Sequence, residues 1–334
     1  MKRIPSLDGL RAVSIALVIL AHLSKSGHAS PLFRANFGGT GVRIFFVISG
    51  YLITTILLKE HSRNATISLR EFYLRRAFRI FPAAIVFLVV AMVVYWHDLR
   101  WYHIATAALY VANYDLARPW IFGHLWSLSI EEQFYLLWPS VLKKWYAQRV
   151  KILLGALLLA PLWQAASLLL KIPVGAWSFP ALADYLAIGC LLAIFAPRLP
   201  KVNRLTAVTM CAALVCIPFF PAYTAGRTLL ALFVLHPAYY VSIAGIILHV
   251  VQTPYRWLNW GPLTWLGQIS YSLYLWQQPF CADPQLRSGY FVLFAVGCAC
   301  ASYYLVEQPM LRWRERLADS RRSVVPSQVS ATAA

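Results

Sequence analysis

A histidine and an arginine in the first apolar segment are the residues best suited to do chemistry. Arg11 and His22 are eleven positions apart, so on an α-helix they lie within about 20° of the same face and about 16 Å apart along the axis. A neutral imidazole can take a proton from an attacking hydroxyl and return it to a leaving group. His22 is therefore a candidate general base, and a histidine with only structural hydrogen bonds is the alternative.

Two adjacent carboxylates interrupt a later apolar segment. Glu131 and Glu132 point about 100° apart on a helix, so only one of them is expected to face a cavity shared with Arg11 or His22. That carboxylate could orient His22 or neutralise Arg11, and pairing with an arginine at the membrane interface is an equally good interpretation. A charge within a span costs roughly 2.5 to 3.5 kcal/mol and needs a partner, a wet cavity or a function. The other charged residues within apolar segments are Arg43 and Asp184.

A basic cluster precedes the third apolar segment. Arg75 and Arg79 share one helical face by their four-residue spacing, and Arg76 lies beside Arg79. Forked guanidinium groups bind phosphate well. The sequence therefore indicates a phosphate site here, although a cluster that sets topology by contacting lipid headgroups is the commoner interpretation of such a pattern.

The elements that must position these residues are membrane-spanning helices. Hydrophobic residues make up 60% of the 334 residues and charged residues 13%, far from the proportions of soluble domains. Segments of about 20 apolar residues predict spans near residues 8–24, 38–58, 78–96, 124–142, 150–170, 180–196, 205–220, 228–250, 262–280 and 288–309. We expect an all-α polytopic bundle, with one domain at residues 1–317 and a disordered tail at 318–334.

The distribution of positive charge sets the predicted topology. If the N-terminus is cytoplasmic, the inner segments hold 21 of the 30 Lys and Arg residues and the outer loops hold seven. This balance requires residues 101–114 to form a short re-entrant or interfacial helix, and it places both termini in the cytoplasm. The net charge of +18 is spread between apolar segments, which argues against nucleic-acid binding. The six cysteines lack metal-ligand spacing, so no metal site is expected.

These segments resemble the membrane-bound acyltransferase family 3, whose members O-acylate bacterial surface polysaccharides, other glycoconjugates and some small glycosides. The resemblance covers most of the chain, without the soluble hydrolase-like domain that some relatives append. It is carried in order by Ser6 to Ala12 with the Arg11 and His22 pair, by 41–53, by the basic cluster before Pro82, by 124–139, by Asp184 with Gly189, and by 267–279 with 307–309. One departure is Arg43, where the family commonly has Asp.

The resemblance implies a role for each candidate residue. His22 is expected to be catalytic with Arg11 nearby, and Arg75, Arg76 and Arg79 are expected to contact the acyl-CoA donor. Ser49 and Tyr135 are expected to belong to the donor site with these arginines, and Glu131 is expected to belong to the catalytic group. Ser49 and Glu131 are expected to help position the reactants. The expected reaction moves an acetyl group to a hydroxyl of a saccharide or glycoconjugate, either directly or through an acylated His22.

The family also implies a setting for the reaction. The enzyme is expected in the cytoplasmic (inner) membrane, in contact with lipids, and acyl-CoA acts as a substrate with no permanently bound cofactor. The main alternative is a polytopic transporter or flippase for a glycan or lipid-linked intermediate, since many secondary carriers also have about ten spans with buried charges. A non-catalytic membrane scaffold is a third interpretation.

Overall fold

The computed structural model describes residues 4–25, 37–219, 230–281 and 290–323, and within these ranges the secondary structure is entirely helical. The α-helices of these ranges are α1 (Pro5–Lys25), α2 (Phe37–Asn64), α3 (Leu69–Val94), α4 (Trp101–Ala108), α5 (Leu125–Lys144), α6 (Arg149–Leu169), α7 (Phe179–Phe195), α8 (Arg204–Cys216), α9 (His236–Gln252), α10 (Gly261–Gln268), α11 (Ser270–Cys281), α12 (Phe291–Ser302) and α13 (Gln308–Ser323). Two π-helical turns, Ala231–Leu235 and Tyr303–Glu307, lead into α9 and α13.

Seven helical stretches of the described residues are long and apolar enough to cross a membrane. They are Pro5–Ser24, Phe37–Asn64, Leu69–Val94, Tyr146–Leu169, Gly175–Phe195, Ala231–Gln252 and Phe291–Leu317. Large apolar side chains on their outer faces, such as Val93 at 72% and Leu158 at 61%, are exposed, as expected where lipid is the solvent. The protein is therefore a multi-pass, all-helical membrane protein.

The ten predicted segments all overlap helices, but three of them differ from a simple long apolar span. The helix α5 carries Glu131, Glu132 and two terminal lysines, and α8 has only 13 residues. The ninth segment is divided into α10 and α11, which meet at Ile269. The number of spans and the side of each terminus accordingly stay predictions.

Glycines let the central helices approach closely. A Cβ atom at Gly50 of α2 would collide with the backbone oxygen of Leu186 of α7, and one at Gly189 of α7 would collide with that of Val47 of α2. Small residues at such crossings allow backbone contact where apolar burial alone gives little drive for association in lipid. This packing holds α2, which carries Arg43 and Ser49, firmly against α7.

The stretch between α3 and α5 forms the expected short helix, α4, followed by a loop that folds against the bundle. Asn113 is buried and donates to the backbone oxygen of Trp177 at 3.1 Å, and Gln133 of α5 donates to Asn113 at 2.9 Å. Buried His103 of α4 binds the Asp115 carboxylate at 2.7 Å. These bonds attach the loop to the helices, and the membrane depth of α4 stays a prediction.

The helix α13 continues to Ser323, so it includes the first six residues of the predicted disordered tail. Apolar packing explains part of this continuation, because Phe78 of α3 and Trp313 of α13 are in contact with ring centroids 5.5 Å apart. Arg314 of α13 also reaches Glu71 of α3 at 3.4 Å. Residues 324–334 lie outside the described residues.

Candidate active site

The His22 side chain is held by an amide from a distant part of the chain. Its Nδ1 atom lies 2.6 Å from the Oε1 atom of Gln277 in α11, and Gln277 is 0% exposed. An amide oxygen only accepts hydrogen bonds, so Nδ1 carries the proton in this arrangement. The other ring nitrogen, Nε2, then keeps the lone pair that a general base requires.

The imidazole lines a cavity of about 560 Å³, which we call the His22 cavity. Two tryptophans, Trp126 and Trp177, contribute to its wall, and their rings meet edge to face with centroids 5.0 Å apart. Buried His124 also lines it, and neither of its ring nitrogens makes a hydrogen bond of ordinary geometry with the described residues. The cavity is therefore large, aromatic and supplied with polar groups, as ligand sites usually are.

A second, smaller cavity of about 70 Å³ collects most of the other predicted site residues, and we call it the arginine cavity. The predicted residues in its wall are Arg11, Ser49, Arg76, Arg79, Glu131 and Tyr135. Tyr135 donates to Ser49 at 2.9 Å, and Ser49 donates to the Glu131 carboxylate at 2.6 Å. This chain of hydrogen bonds fixes Glu131 within the field of Arg11, Arg76 and Arg79.

The predicted basic cluster divides in the structure. The guanidinium of Arg76 lies over the Tyr135 ring, with Cζ 4.4 Å from the centroid, and Arg79 lines the same cavity. Arg75 is absent from this wall and pairs with Glu60 at 3.4 Å. Two of the three arginines therefore share the cavity with Arg11, because α3 directs the third toward the end of α2.

A central cavity of about 50 Å³ lies between the other two. It shares Arg11 and Glu131 with the arginine cavity, and it shares Tyr274 with the His22 cavity. The Tyr274 hydroxyl is 2.5 Å from that of Ser127. Arg11 and His22 thus line neighbouring cavities of one row, whereas the sequence predicted that both could line a single cavity.

The expectation that only one of the two adjacent carboxylates faces a cavity is wrong. Glu131 and Glu132 both line the arginine cavity, since this cavity extends around α5 far enough to reach residues 100° apart. Glu131 interacts electrostatically with Arg11, and Glu132 interacts with Arg76. Arg76 therefore lies within the field of both carboxylates, and Glu131 also offsets Arg11 and Arg79.

Arg43 lies near Asp184, which is likewise a charged residue within an apolar segment. Asp184 of α7 is 1% exposed, accepts a hydrogen bond from the Tyr185 backbone at 2.9 Å and lies within the field of Arg43. The Arg43 guanidinium carbon is 5.5 Å from the Tyr185 ring centroid and 5.7 Å from that of Tyr239. Arg43 itself lines the His22 cavity.

Sequence reasoning missed two residues that line or support the His22 cavity and one buried carboxylate near the arginine cavity. Gln277 binds His22, and His124 faces it across the same cavity within electrostatic range. Glu307, 2% exposed, accepts from Ser272 at 3.2 Å and lies within the field of Arg79. All three lie in segments recognised as motifs. A local motif does not indicate which distant residue a polar side chain will contact, because that depends on how the helices pack.

Comparison with known proteins identifies the family of the chain. Residues 4–306 match the family model described as "Acyltransferase domain" of the acyltransferase 3 type. The chain is 34% identical to the Peptidoglycan O-acetyltransferase OatA of Listeria monocytogenes, over 83% of this chain and 49% of that protein. It is 30% identical to the Putative peptidoglycan O-acetyltransferase YrhL of Bacillus subtilis, over 92% of this chain and 55% of that protein.

The match covers only part of the length of these relatives. The chain spans about half the length of the Listeria and Bacillus proteins. A Putative O-acetyltransferase of Staphylococcus aureus is 38% identical over 42% of this chain and 25% of its own length. No solved structure matches the chain.

Proposed function

The chain belongs to the membrane-bound acyltransferase family 3, and we propose that it transfers an acetyl group from acyl-CoA to a hydroxyl of a saccharide. Its similarity to peptidoglycan O-acetyltransferases supports an acceptor of the peptidoglycan type. The observation that carries the proposal is the row of three cavities, which joins a group of arginines to an oriented histidine. A group that binds phosphate and a group that moves a proton are the two requirements of acyl transfer from a nucleotide thioester.

The arginine cavity is the donor end of this row. Arg11, Arg76 and Arg79 together offer guanidinium forks to phosphate groups. Arg11 and His22 are separated by about 16 Å of helix, a distance that an extended pantetheine arm can bridge. The central cavity of about 50 Å³ must widen for the arm to pass. Its border with the His22 cavity, formed by Val42, Phe46 and Tyr274, is the place that must open.

The chemical step takes place at the His22 cavity. Nε2 of His22 removes the proton of the acceptor hydroxyl while the hydroxyl oxygen forms a bond to the thioester carbonyl carbon. The tetrahedral intermediate then collapses, the carbon–sulfur bond breaks, and the leaving thiolate takes the proton from His22. Gln277 accepts from Nδ1–H, so Nε2 is the nitrogen that takes up the proton and then returns it.

The membrane setting follows from the charge pattern. We place the protein in the cytoplasmic membrane with ten spans and both termini inside, so that Arg76 and Arg79 face cytoplasmic acyl-CoA and the acceptor enters from the other face. A reporter active only in the cytoplasm should be active when fused after Trp145 and inactive when fused after Lys171. The opposite pattern would contradict this orientation.

The central test measures transfer by purified protein in detergent, where no gradient exists to drive transport. Labelled acetyl-CoA and peptidoglycan oligosaccharides are incubated with wild type, His22→Ala and His97→Ala, and products are identified by mass. His97 is an exposed loop residue, so its variant should be fully active, while His22→Ala should lose at least about 100-fold in rate. Undiminished transfer by a well-folded His22→Ala protein would exclude His22 as base and as acyl carrier.

Two further measurements separate the proposal from its alternatives. Rates with acetyl-CoA are compared with rates with a short acetyl thioester that lacks the nucleotide. Only acetyl-CoA should saturate the enzyme at low concentration, because only acetyl-CoA carries phosphates for the arginines to bind. Mass spectrometry after acetyl-CoA addition without acceptor should find His22 unmodified. An acetylated His22 would instead support the two-step route, and absence of any acetyl transfer would favour a transporter.

A further inference from the structure

The His22 cavity is positively charged. Two guanidinium groups, those of Arg43 and Arg118, and two imidazoles line it, and no carboxylate does so among the described residues. Like charges that share one poorly solvated cavity repel each other, and an anion between them removes that cost. The charge of the wall therefore favours a ligand that carries a negative group.

Arg118 carries the donor best suited to bind such a group. Its Nη1 donates to the backbone oxygens of Asp115 at 2.8 Å and Ala112 at 3.4 Å, while its Nε is buried and has no hydrogen-bond partner among the described residues. Burial lowers the pKa of Arg118, and the Asp115 carboxylate only partly opposes this effect. A buried charged donor without an acceptor is costly, so an anionic ligand oxygen would complete the set.

The nearby carboxylates do not neutralise both cations. The Asp115 carboxylate is already bound to His103 at 2.7 Å. Asp184 lies within the field of Arg43, but it is 1% exposed and is not part of the cavity wall. Among the described residues, Asp184 lies behind the wall near Arg43, and Asp115 is shared between His103 and Arg118. The two guanidiniums on the wall are therefore offset only in part.

The remaining wall identifies the rest of the ligand. Trp126 and Trp177 offer flat apolar faces of the kind that pack against the C–H face of a sugar ring, and the guanidinium of Arg118 lies 5.5 Å from the Trp177 centroid. A cation beside an aromatic face suits a ring that bears one negative substituent. The phosphates of the donor already have a separate group of arginines at the other end of the row.

We infer that the acceptor is a saccharide bearing a carboxylate, held in the His22 cavity by Arg43 and Arg118 and stacked on the tryptophans. This inference rests on the proposed function and assigns its acceptor class. The carboxylate binds the guanidiniums while a hydroxyl of the same saccharide is directed to His22. The two arginine groups then bind the two anionic substrates separately, and this separation keeps the donor out of the acceptor position.

The test compares two acceptors that differ only in charge. The probes are the disaccharide N-acetylglucosaminyl-N-acetylmuramic acid, which has a free carboxylate, and the same disaccharide as its carboxamide. Binding is measured with the His22→Ala protein, which separates affinity from turnover, and transfer is measured with wild type. We expect about 10-fold tighter binding and about 10-fold higher kcat/KM for the carboxylate form.

Three variants locate the selectivity within the protein. Arg43→Gln and Arg118→Gln should each reduce the ratio of the two affinities toward one, and Arg118→Lys should keep part of it. Arg198→Gln removes the same charge from an exposed position outside the cavity and should leave the ratio at about 10. Gel filtration and thermal unfolding in detergent establish that each variant is folded before it is compared.

The outcomes distinguish this inference from the proposed function. Equal affinities for the two disaccharides, or loss of acetyl-CoA affinity in Arg43→Gln and Arg118→Gln, would overturn the inference even if wild type transfers acetyl groups normally. Charge-selective binding that depends on Arg43 and Arg118 would support it. The same selective binding without any transfer by wild type would contradict the proposed function and leave the cavity a carboxylate-saccharide site.

Discussion

The contact between Gln277 and His22 gives the sharpest test of the catalytic arrangement. Replacing Gln277 with Met keeps the approximate volume of the side chain and removes the oxygen that accepts from Nδ1 at 2.6 Å. A hydrogen bond contributes about 0.5–1.5 kcal/mol net, and about 1.4 kcal/mol corresponds to a factor of ten in rate. The fraction of His22 with the correct tautomer and orientation should therefore fall, and kcat with it, by about 2- to 10-fold.

The effect of Gln277→Met on the stability of the fold should be small. The Nε2 atom of Gln277 is buried without a hydrogen-bond partner among the described residues, so Gln277→Met removes an unsatisfied donor together with the bond to His22. Loss of the unsatisfied donor favours folding, whereas loss of the acceptor of the partly buried His22 opposes it, and the two effects offset each other. We therefore expect kcat to fall while Tm stays within a few degrees of wild type and KM for both substrates stays unchanged.

The assay is steady-state acetyl transfer by purified protein, with Tm measured on the same samples. Gln277→Glu keeps an accepting oxygen and should retain more of kcat than Gln277→Met. Gln252→Met is the matched control, because Gln252 makes two hydrogen bonds, at 3.0 and 3.2 Å, outside the three cavities. A Gln277→Met protein with unchanged kcat, or with a lower Tm and a kcat restored by cooling, would refute the assigned role.

Three other predictions concern the donor site and the packing. Arg79→Gln should raise KM for acetyl-CoA by about 10-fold, whereas Arg75→Gln should change it less than 2-fold, as initial rates at varied donor concentration will show. Glu131→Gln removes the negative charge that offsets Arg11, Arg76 and Arg79, so it should lower the rate of transfer and change the KM for the donor. A donor KM equal to that of wild type would count against this role. Gly50→Leu should destabilise the fold by about 1–3 kcal/mol in thermal unfolding, while Gly155→Leu, with open space around its Cβ position, should not.

Patterns along the chain were sufficient for the broad architecture. Long apolar segments predicted helices because a chain in lipid must satisfy its backbone hydrogen bonds locally, and helices overlap all ten segments. The family was also predictable, since its motifs occur in order, and the match over residues 4–306 confirms it. The count of ten spans stays a prediction, because short helices such as α8 and the divided α10 and α11 do not meet the length of a simple span.

The candidate site was only partly predictable. Arg11, Ser49, Arg76, Arg79 and Glu131 lie around one cavity as their motifs implied, but Arg75 does not. Helical spacing predicts which residues share a face of a helix, but it does not predict which other helix packs against that face. The division of the basic cluster depends on Glu60 at the end of α2, which no local pattern connects to Arg75.

Composition and periodicity by themselves determined that this is a helical membrane protein and which residues are expensive to bury, because those properties depend on local transfer free energies. Tertiary structure alone decided that Gln277, 255 positions along the chain, holds His22, and that Arg43 and Arg118 share its cavity. Such pairings depend on helix rotation and contact between distant segments. The physical reason is that the contacts of a buried polar side chain depend on the direction in which it points after the helices pack. Residue type alone does not fix that direction.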